Sequence, residues 1–287
     1  MNQLHDFEKN IIVVITRVTP ELNAFLQDDF NFESTLRLLG DLPLQAKIQQ
    51  LGPPLRYKQL ISILLTRCAL NKVLGNPVFQ KVSFEYNKFG KPSIEGLEFN
   101  SSSSNDIFAI ALHSFPIGID LSHSTQNVSS TDYKKQFEPI FHKLELRQLD
   151  SYFKFNHFWT LKEAFTKLIG CGLNVELSDF YFVLNEKDEF GQDNYCLTKP
   201  PHCSNDFELV DVNWYDKITT NADNLFEERS EFVDGLENEF YCYSTVLDKS
   251  HGEKLPVICS IITQLHAAQI ITYNVDFLAI LQRHLEI

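Results

Sequence analysis

Between Trp159 and Lys167 the chain runs Trp-Thr-Leu-Lys-Glu-Ala-Phe-Thr-Lys without glycine or proline, and Gly170 and Gly172 follow closely. Such a run predicts a helix that ends at the glycines. Steps of four put Trp159, Glu163 and Lys167 on one stripe, with Lys162 and Thr166 beside it. One face therefore offers a carboxylate flanked by ammonium groups. Upstream, Ile117, Ile119 and Leu121 alternate with Gly118, Asp120 and Ser122, which is the period of a strand with one polar side. Gly118 leaves room beside Asp120 and Ser122.

The chain has 287 residues, enough to bury one large core or two modest ones. Its start, Met1-Asn-Gln-Leu-His-Asp-Phe-Glu, resembles neither a secretory signal nor an arginine-rich transit peptide. The apolar run Ile11–Ile15 is too short to span a bilayer and reads as a buried strand. Six cysteines, at 68, 171, 196, 203, 242 and 259, form no Cys-x-x-Cys pair and stand near no histidine cluster. They indicate neither a zinc site nor a disulfide framework, and the expected compartment is the reducing cytoplasm. The sequons at Asn100 and Asn127 are read as chance in such a chain. A formal charge of −13 argues against nucleic acid as a partner. Most of it is local, because residues 184–240 hold 15 acids against 4 bases, a net of −11. That stretch is expected to be a solvated loop or insertion.

Along the chain, strands are expected at 9–18, 78–86, 107–112, 117–121, 177–184, 240–247 and 257–264, the last closing the sheet. Helices are expected at 57–74, 151–169 and 275–284, with another over 133–149 that Pro139 kinks or splits. Gly52-Pro53-Pro54 and Gly75-Asn76-Pro77 bracket the first long helix.

Four motifs stand in order: Gly118-Ile-Asp120, Phe141-x-x-x-Glu145-x-x-x-Leu149, Trp159-Thr-x-Lys162-Glu163-Ala-Phe-x-Lys167, and Gly170-x-Gly172-Leu173. Gly90-Lys91-Pro92 precedes them. In these residues the chain resembles the Sfp-type 4'-phosphopantetheinyl transferases. Asn174-Val-Glu-Leu-Ser-Asp-Phe180 is similar to the fungal members that act on aminoadipate reductase in lysine synthesis. The resemblance implies an α+β fold of two pseudo-symmetric halves, each an antiparallel-rich sheet with a long packed helix. The halves are expected to divide near Pro116. Residues 1–116 would hold the nucleotide end of CoA, and residues 117–287 the metal and the catalytic helix. It also implies an activity: transfer of 4'-phosphopantetheine from CoA to a serine of an apo carrier protein domain, with release of adenosine 3',5'-bisphosphate. The recipient would be aminoadipate reductase, or else a fatty acid or polyketide synthase carrier domain. A catalytically lapsed CoA- or carrier-binding protein is the alternative outside the enzyme class.

The resemblance makes Asp120 and Glu163 ligands of Mg²⁺, a hard cation that takes oxygen donors and bridges phosphates. Glu163 is either ligand only or also the base for the serine proton. Lys162 and Lys167 are expected to face phosphate oxygens. Lys91 is expected to meet the nucleotide end of CoA, and Lys47, Arg56 or Lys58 its 3'-phosphate. Trp159 is read as helix packing. Two departures stand out. Many members carry an acid where this chain has Ser122, and a histidine where it has Ser103 within Phe99-Asn-Ser-Ser-Ser-Ser104. The serine run, Ser102 and Ser103 in particular, is either a hydroxyl cradle for phosphate or a flexible polar loop. Since both halves come from one chain, a monomer is expected.

Overall fold

The computed structural model describes residues 7–122, 133–185, 206–248 and 256–286. Cys196, Cys203 and the Asn127 sequon lie outside them. Strand β1 (Ile11–Arg17) leads into α1 (Pro20–Gln27), α2 (Asp29–Arg37), α3 (Leu42–Gln49) and the long α4 (Leu55–Leu74). Short strands β2 (Glu85–Tyr86) and β3 (Pro92–Ser93) flank the Gly90-Lys91 turn. They precede β4 (Glu98–Ser104), β5 (Ile107–His113) and β6 (Ile117–Ser122). Next come α5 (Tyr133–Phe137), α6 (Lys143–Gln148) and the second long helix, α7 (Tyr152–Ile169). The chain continues through β7 (Tyr181–Leu184), β8 (Phe207–Val210), β9 (Ile218–Asn221) and α8 (Asp223–Glu228). It ends with β10 (Tyr241–Asp248), β11 (Val257–Thr263), β12 (Ile270–Val275) and α9 (Phe277–Leu285).

Two sheets stack between helices, and the sequence period explains the layering. A five-stranded sheet has the order β4-β5-β1-β12-β8, and a three-stranded antiparallel sheet the order β10-β11-β6. In β1 the odd residues Ile11, Val13 and Ile15 join Ile117, Ile119, Leu121, Cys259 and Ile261 in the core between the sheets. The even residues Ile12 and Val14 pack under α4 through Leu60, Ile61 and Leu64. Covered on both faces, β1 is a continuous apolar run rather than an alternating one. Along β6 only the odd residues enter the core between the sheets, so Gly118, Asp120 and Ser122 face α7. A Cβ on Gly118 would stand 1.9 Å from the Ala164 carbonyl oxygen, so only glycine lets the backbones of β6 and α7 approach this closely. The fold is α+β with mainly antiparallel sheets; the β1–β12 pair is parallel.

Four expectations change. Residues 177–184 form a 3₁₀ turn over Leu177–Asp179 and a strand only at Tyr181–Leu184. Residues 78–86 form a strand only at Glu85–Tyr86. Phe79, Val82 and Phe84 pack on the first core although the stretch before Glu85 joins no ladder. The last strand is β12 rather than 257–264, and α9 starts behind the Asp276 cap. Within the acidic stretch, the described residues 206–240 do not form a plain solvated loop. Their β8 edges the five-stranded sheet beside β12, β9 pairs with β7, and Ala222, Leu225 and Val233 enter the core around α7. Pro116 separates β5 from β6. β8, β12 and α9 return to the first sheet, and Tyr273, Val275, Phe277 and Ile280 join the core under α4. The Pro139 break is observed: a 3₁₀ turn over Glu138–Ile140 separates α5 from α6.

Candidate active site

From Phe155 to Gly170 every residue is buried except Trp159, Glu163 and Lys167. These three form the one partly exposed i, i+4 stripe between Phe155 and Gly170, and all three line one cavity of about 590 Å³. Asp120, Leu121 and Ser122 of β6 form another wall, Ser101–Ser104 of β4 a third, and Ser62 of α4 completes the lining. Both long helices and both sheets therefore contribute to one opening.

Asp120 is almost wholly buried, yet its Oδ1 receives two hydrogen bonds, from Lys167 Nζ at 2.7 Å and from Ser102 Oγ at 2.9 Å. Lys167 Nζ also donates to the Ile119 carbonyl at 3.2 Å. Burial pushes the Asp120 carboxyl above its ordinary pKa, against the pull of the Lys167 ammonium and the Ser102 hydroxyl. Glu163 is also raised, by burial and then by the negative charge of Asp120, with Lys167 acting in the other direction. The two acids thus feel each other across the cavity. Ionised, the lining holds two carboxylates against one ammonium, an excess of one negative charge. A pyrophosphate would be repelled from that site, whereas a divalent cation reverses the sign. The donors present are carboxylate and hydroxyl oxygens, which suit a hard cation such as Mg²⁺. Among the described residues no cluster of three or more His, Cys, Asp or Glu is present to make a fuller cage. Ser122, standing where an acid is common in the family, donates to Asn156 Oδ1 at 3.1 Å in the buried layer under α7.

Serines 101–104 are part of a regular strand rather than a flexible loop, and all four reach the cavity wall. Trp159 has two roles. It packs against Phe137 at 5.7 Å between ring centroids and also borders the cavity. Ser62 was not foreseen. Its signal was its place on the polar stripe of Lys58, Ser62 and Thr66 beside the apolar face of α4.

Lys162 does not face the cavity, which corrects the phosphate role expected of it. Its ammonium is fully buried on the opposite side of α7, 2.8 Å from Glu145 Oε2, and donates to the Leu177 and Phe180 carbonyls at 2.6 Å each. Lys91 also departs from expectation, because its Nζ donates to the Leu168 carbonyl at 2.9 Å and the Ile117 carbonyl at 3.2 Å. Glu98 lies 3.7 Å away. Lys91 thereby binds the end of α7 to the start of β6, and it is not part of the cavity lining. Lys47 is exposed on α3 and stands outside the lining as well. Arg56 lies over the Phe32 and Tyr57 rings. Lys58 is exposed one helical turn before Ser62 and is not part of the lining.

A strand carboxylate and a helix carboxylate thus line one polar cavity, with a lysine beside them. Residues 116–211 match the profile of the 4'-phosphopantetheinyl transferase superfamily. A 4'-phosphopantetheinyl transferase named gsp from Aneurinibacillus migulanus is 30% identical over 152 residues, covering 50% of this chain and 60% of that protein. The L-aminoadipate-semialdehyde dehydrogenase-phosphopantetheinyl transferase of Candida glabrata is 29% identical over 168 residues, 54% of this chain and 63% of its own length. Its namesake from Saccharomyces cerevisiae is 30% identical over 170 residues, 53% and 61% respectively. The chain thus spans about three fifths of the length of these curated relatives.

Proposed function

We propose that this protein transfers the 4'-phosphopantetheine group of CoA to a serine of an apo carrier domain. The observation that carries the reading is the partly exposed stripe of α7, with Glu163 and Lys167 facing Asp120 across one cavity. The serine oxygen forms a bond to the phosphorus next to the pantetheine arm. The pyrophosphate P–O bond breaks, and adenosine 3',5'-bisphosphate leaves with the electron pair. Asp120 and Glu163 hold Mg²⁺, which neutralises charge on the phosphate oxygens when bound. Glu163, raised by burial and by Asp120, is also placed to take the serine proton. Lys167 stabilises negative charge at the transferring phosphate. The hydroxyls of Ser62 and Ser103 donate to phosphate oxygens in place of the family histidine. Lys58, exposed one helical turn before Ser62, is the cation for the 3'-phosphate.

The recipient we favour is an aminoadipate reductase domain, because two relatives are named for L-aminoadipate-semialdehyde dehydrogenase. The cavity draws on both long helices of one chain, which supports a monomer. Among the described residues no helix is long and apolar enough to cross a membrane, and we place the protein in the cytoplasm.

The test incubates the protein with CoA, Mg²⁺ and separate apo carriers from aminoadipate reductase, a fatty acid synthase and a polyketide synthase. Mass spectrometry should show addition of phosphopantetheine, fastest on the first. EDTA or Asp120→Ala should abolish it. No addition to any carrier would leave a CoA-binding protein without the activity.

A further inference from the structure

β6 is the edge strand of the three-stranded sheet, and β4 is the edge strand of the five-stranded sheet. They meet at the cavity, and one hydroxyl joins them. Ser102 Oγ lies 3.1 Å from Leu121 N and 2.9 Å from Asp120 Oδ1. The amide N–H must be the donor in the first contact, so the serine oxygen accepts it. A serine hydroxyl carries a single proton, and here that proton goes to Asp120. The hydroxyl therefore satisfies an edge amide of β6 and grips the carboxylate next to it. Lys167 Nζ donates to the same Oδ1. Two donors on one oxygen fix the rotation of the carboxylate about its last bond, and Oδ2 is the oxygen left for a ligand.

We infer that Ser102 is a positioning residue for Asp120, holding the carboxylate in the orientation in which it receives a divalent cation. This rests on the proposed metal role of Asp120, and it gives Ser102 a role other than the phosphate contact expected of the serine run. Groups that orient a ligand from behind typically change metal affinity by about 10–100-fold when removed. The geometry explains why this serine matters and not its neighbours. All four serines of β4 line the cavity, and Ser102 is the one placed to bond both Asp120 and the Leu121 amide.

The experiment titrates the full chain with Mn²⁺ in the absence of CoA, following free Mn²⁺ by electron paramagnetic resonance. Ser102→Ala should raise the Mn²⁺ dissociation constant by about 10–100-fold. Ser102→Thr, which keeps the hydroxyl, should stay within about 3-fold of wild type. Should the alanine variant fail to fold, Ser102→Cys, similar in size with a weak donor, carries the test and should behave as alanine is expected to. In parallel, CoA binding without metal should be unchanged in Ser102→Ala. Unchanged Mn²⁺ affinity in the alanine or cysteine variant overturns the inference. So does a loss of metal-free CoA binding that threonine restores, because that marks a phosphate contact. A wild-type chain whose Mn²⁺ affinity needs Ser102 but which modifies no carrier supports this inference and overturns the transferase reading.

Discussion

Helix α7 carries two lysine–carboxylate pairs on opposite faces, similar in distance and different in surroundings. Lys162 meets Glu145 at 2.8 Å with both side chains wholly buried, whereas Lys167 meets Asp120 at 2.7 Å with 29% and 10% of the side chains exposed. The first pair is closed on all sides. Lys162 also donates to two carbonyls. Glu145 accepts the backbone N–H groups of His142 and Phe182, so it ties the start of α6 to β7. Every donor and acceptor has a fixed use, so the pair works as an internal brace. The second pair borders a cavity with Glu163 and a row of serines, and its ammonium has room to meet a ligand. Adjacent motif letters, Lys162 and Glu163, thus serve different ends. Ion-pair length does not tell a brace from a reagent; the openness of the surrounding wall does.

The comparison breaks first at the brace. Lys162→Met would leave Glu145 buried without its cation and two carbonyls without a donor, a loss of about 3–5 kcal/mol of stability. Urea unfolding measures this, and a loss below about 1 kcal/mol would mean the pair is not closed. Lys167→Met should do the reverse. Stability should change little, while kcat for carrier modification should drop by about 100-fold, read from initial rates at saturating CoA. A third lysine sharpens the contrast, because Lys91 resembles the brace although the family likeness made it a CoA contact. Lys91→Met removes a charged donor from two carbonyls and should cost about 1.5–3 kcal/mol. The KM for CoA should stay near wild type. A raised KM with unchanged stability would return Lys91 to the nucleotide.

The parts legible in the sequence were those fixed by local rules. Both long helices end where glycine permits the left-handed cap, at Gly75 and Gly170. Pro139 divides α5 from α6 where its ring forbids a continuous helix. The stripe of Trp159, Glu163 and Lys167 follows from helical period alone. Which stripe faces a cavity does not, because that depends on Glu145 arriving from α6 to take Lys162. β8 was hidden for the same reason. Its acids dominate a charge count, and its partner β12 lies far along the chain. The strand character of Ser101–Ser104 was masked by residues with weak local preference, settled only by pairing with β5. The Ser102–Asp120 contact needs two sheet edges to meet, which no spacing encodes.

The smallest expected effect concerns Glu163 and the sign of its pH dependence. Its pKa is raised, first by burial and then by Asp120, so the folded protein holds that proton more firmly than the unfolded chain does. Between the ordinary glutamate value and the raised one, the folded state binds more protons, and stability falls as pH rises. The favourable contribution is complete below the unfolded pKa and lost through the folded one. Glu163→Gln carries no charge to repel Asp120. The metal-free variant should therefore melt above metal-free wild type at neutral pH, and the gap should close as pH falls below about 4, where the unfolded carboxyl is itself protonated. Mg²⁺ should raise the melting temperature of wild type more than that of the variant, because a ligand stabilises only the state that binds it. A brace residue would show the opposite pattern: Glu145→Gln should lower the melting temperature at neutral pH and leave the response to Mg²⁺ intact. If Glu163→Gln behaves in that way instead, both faces of α7 are structural, and the cavity is not where the cation sits.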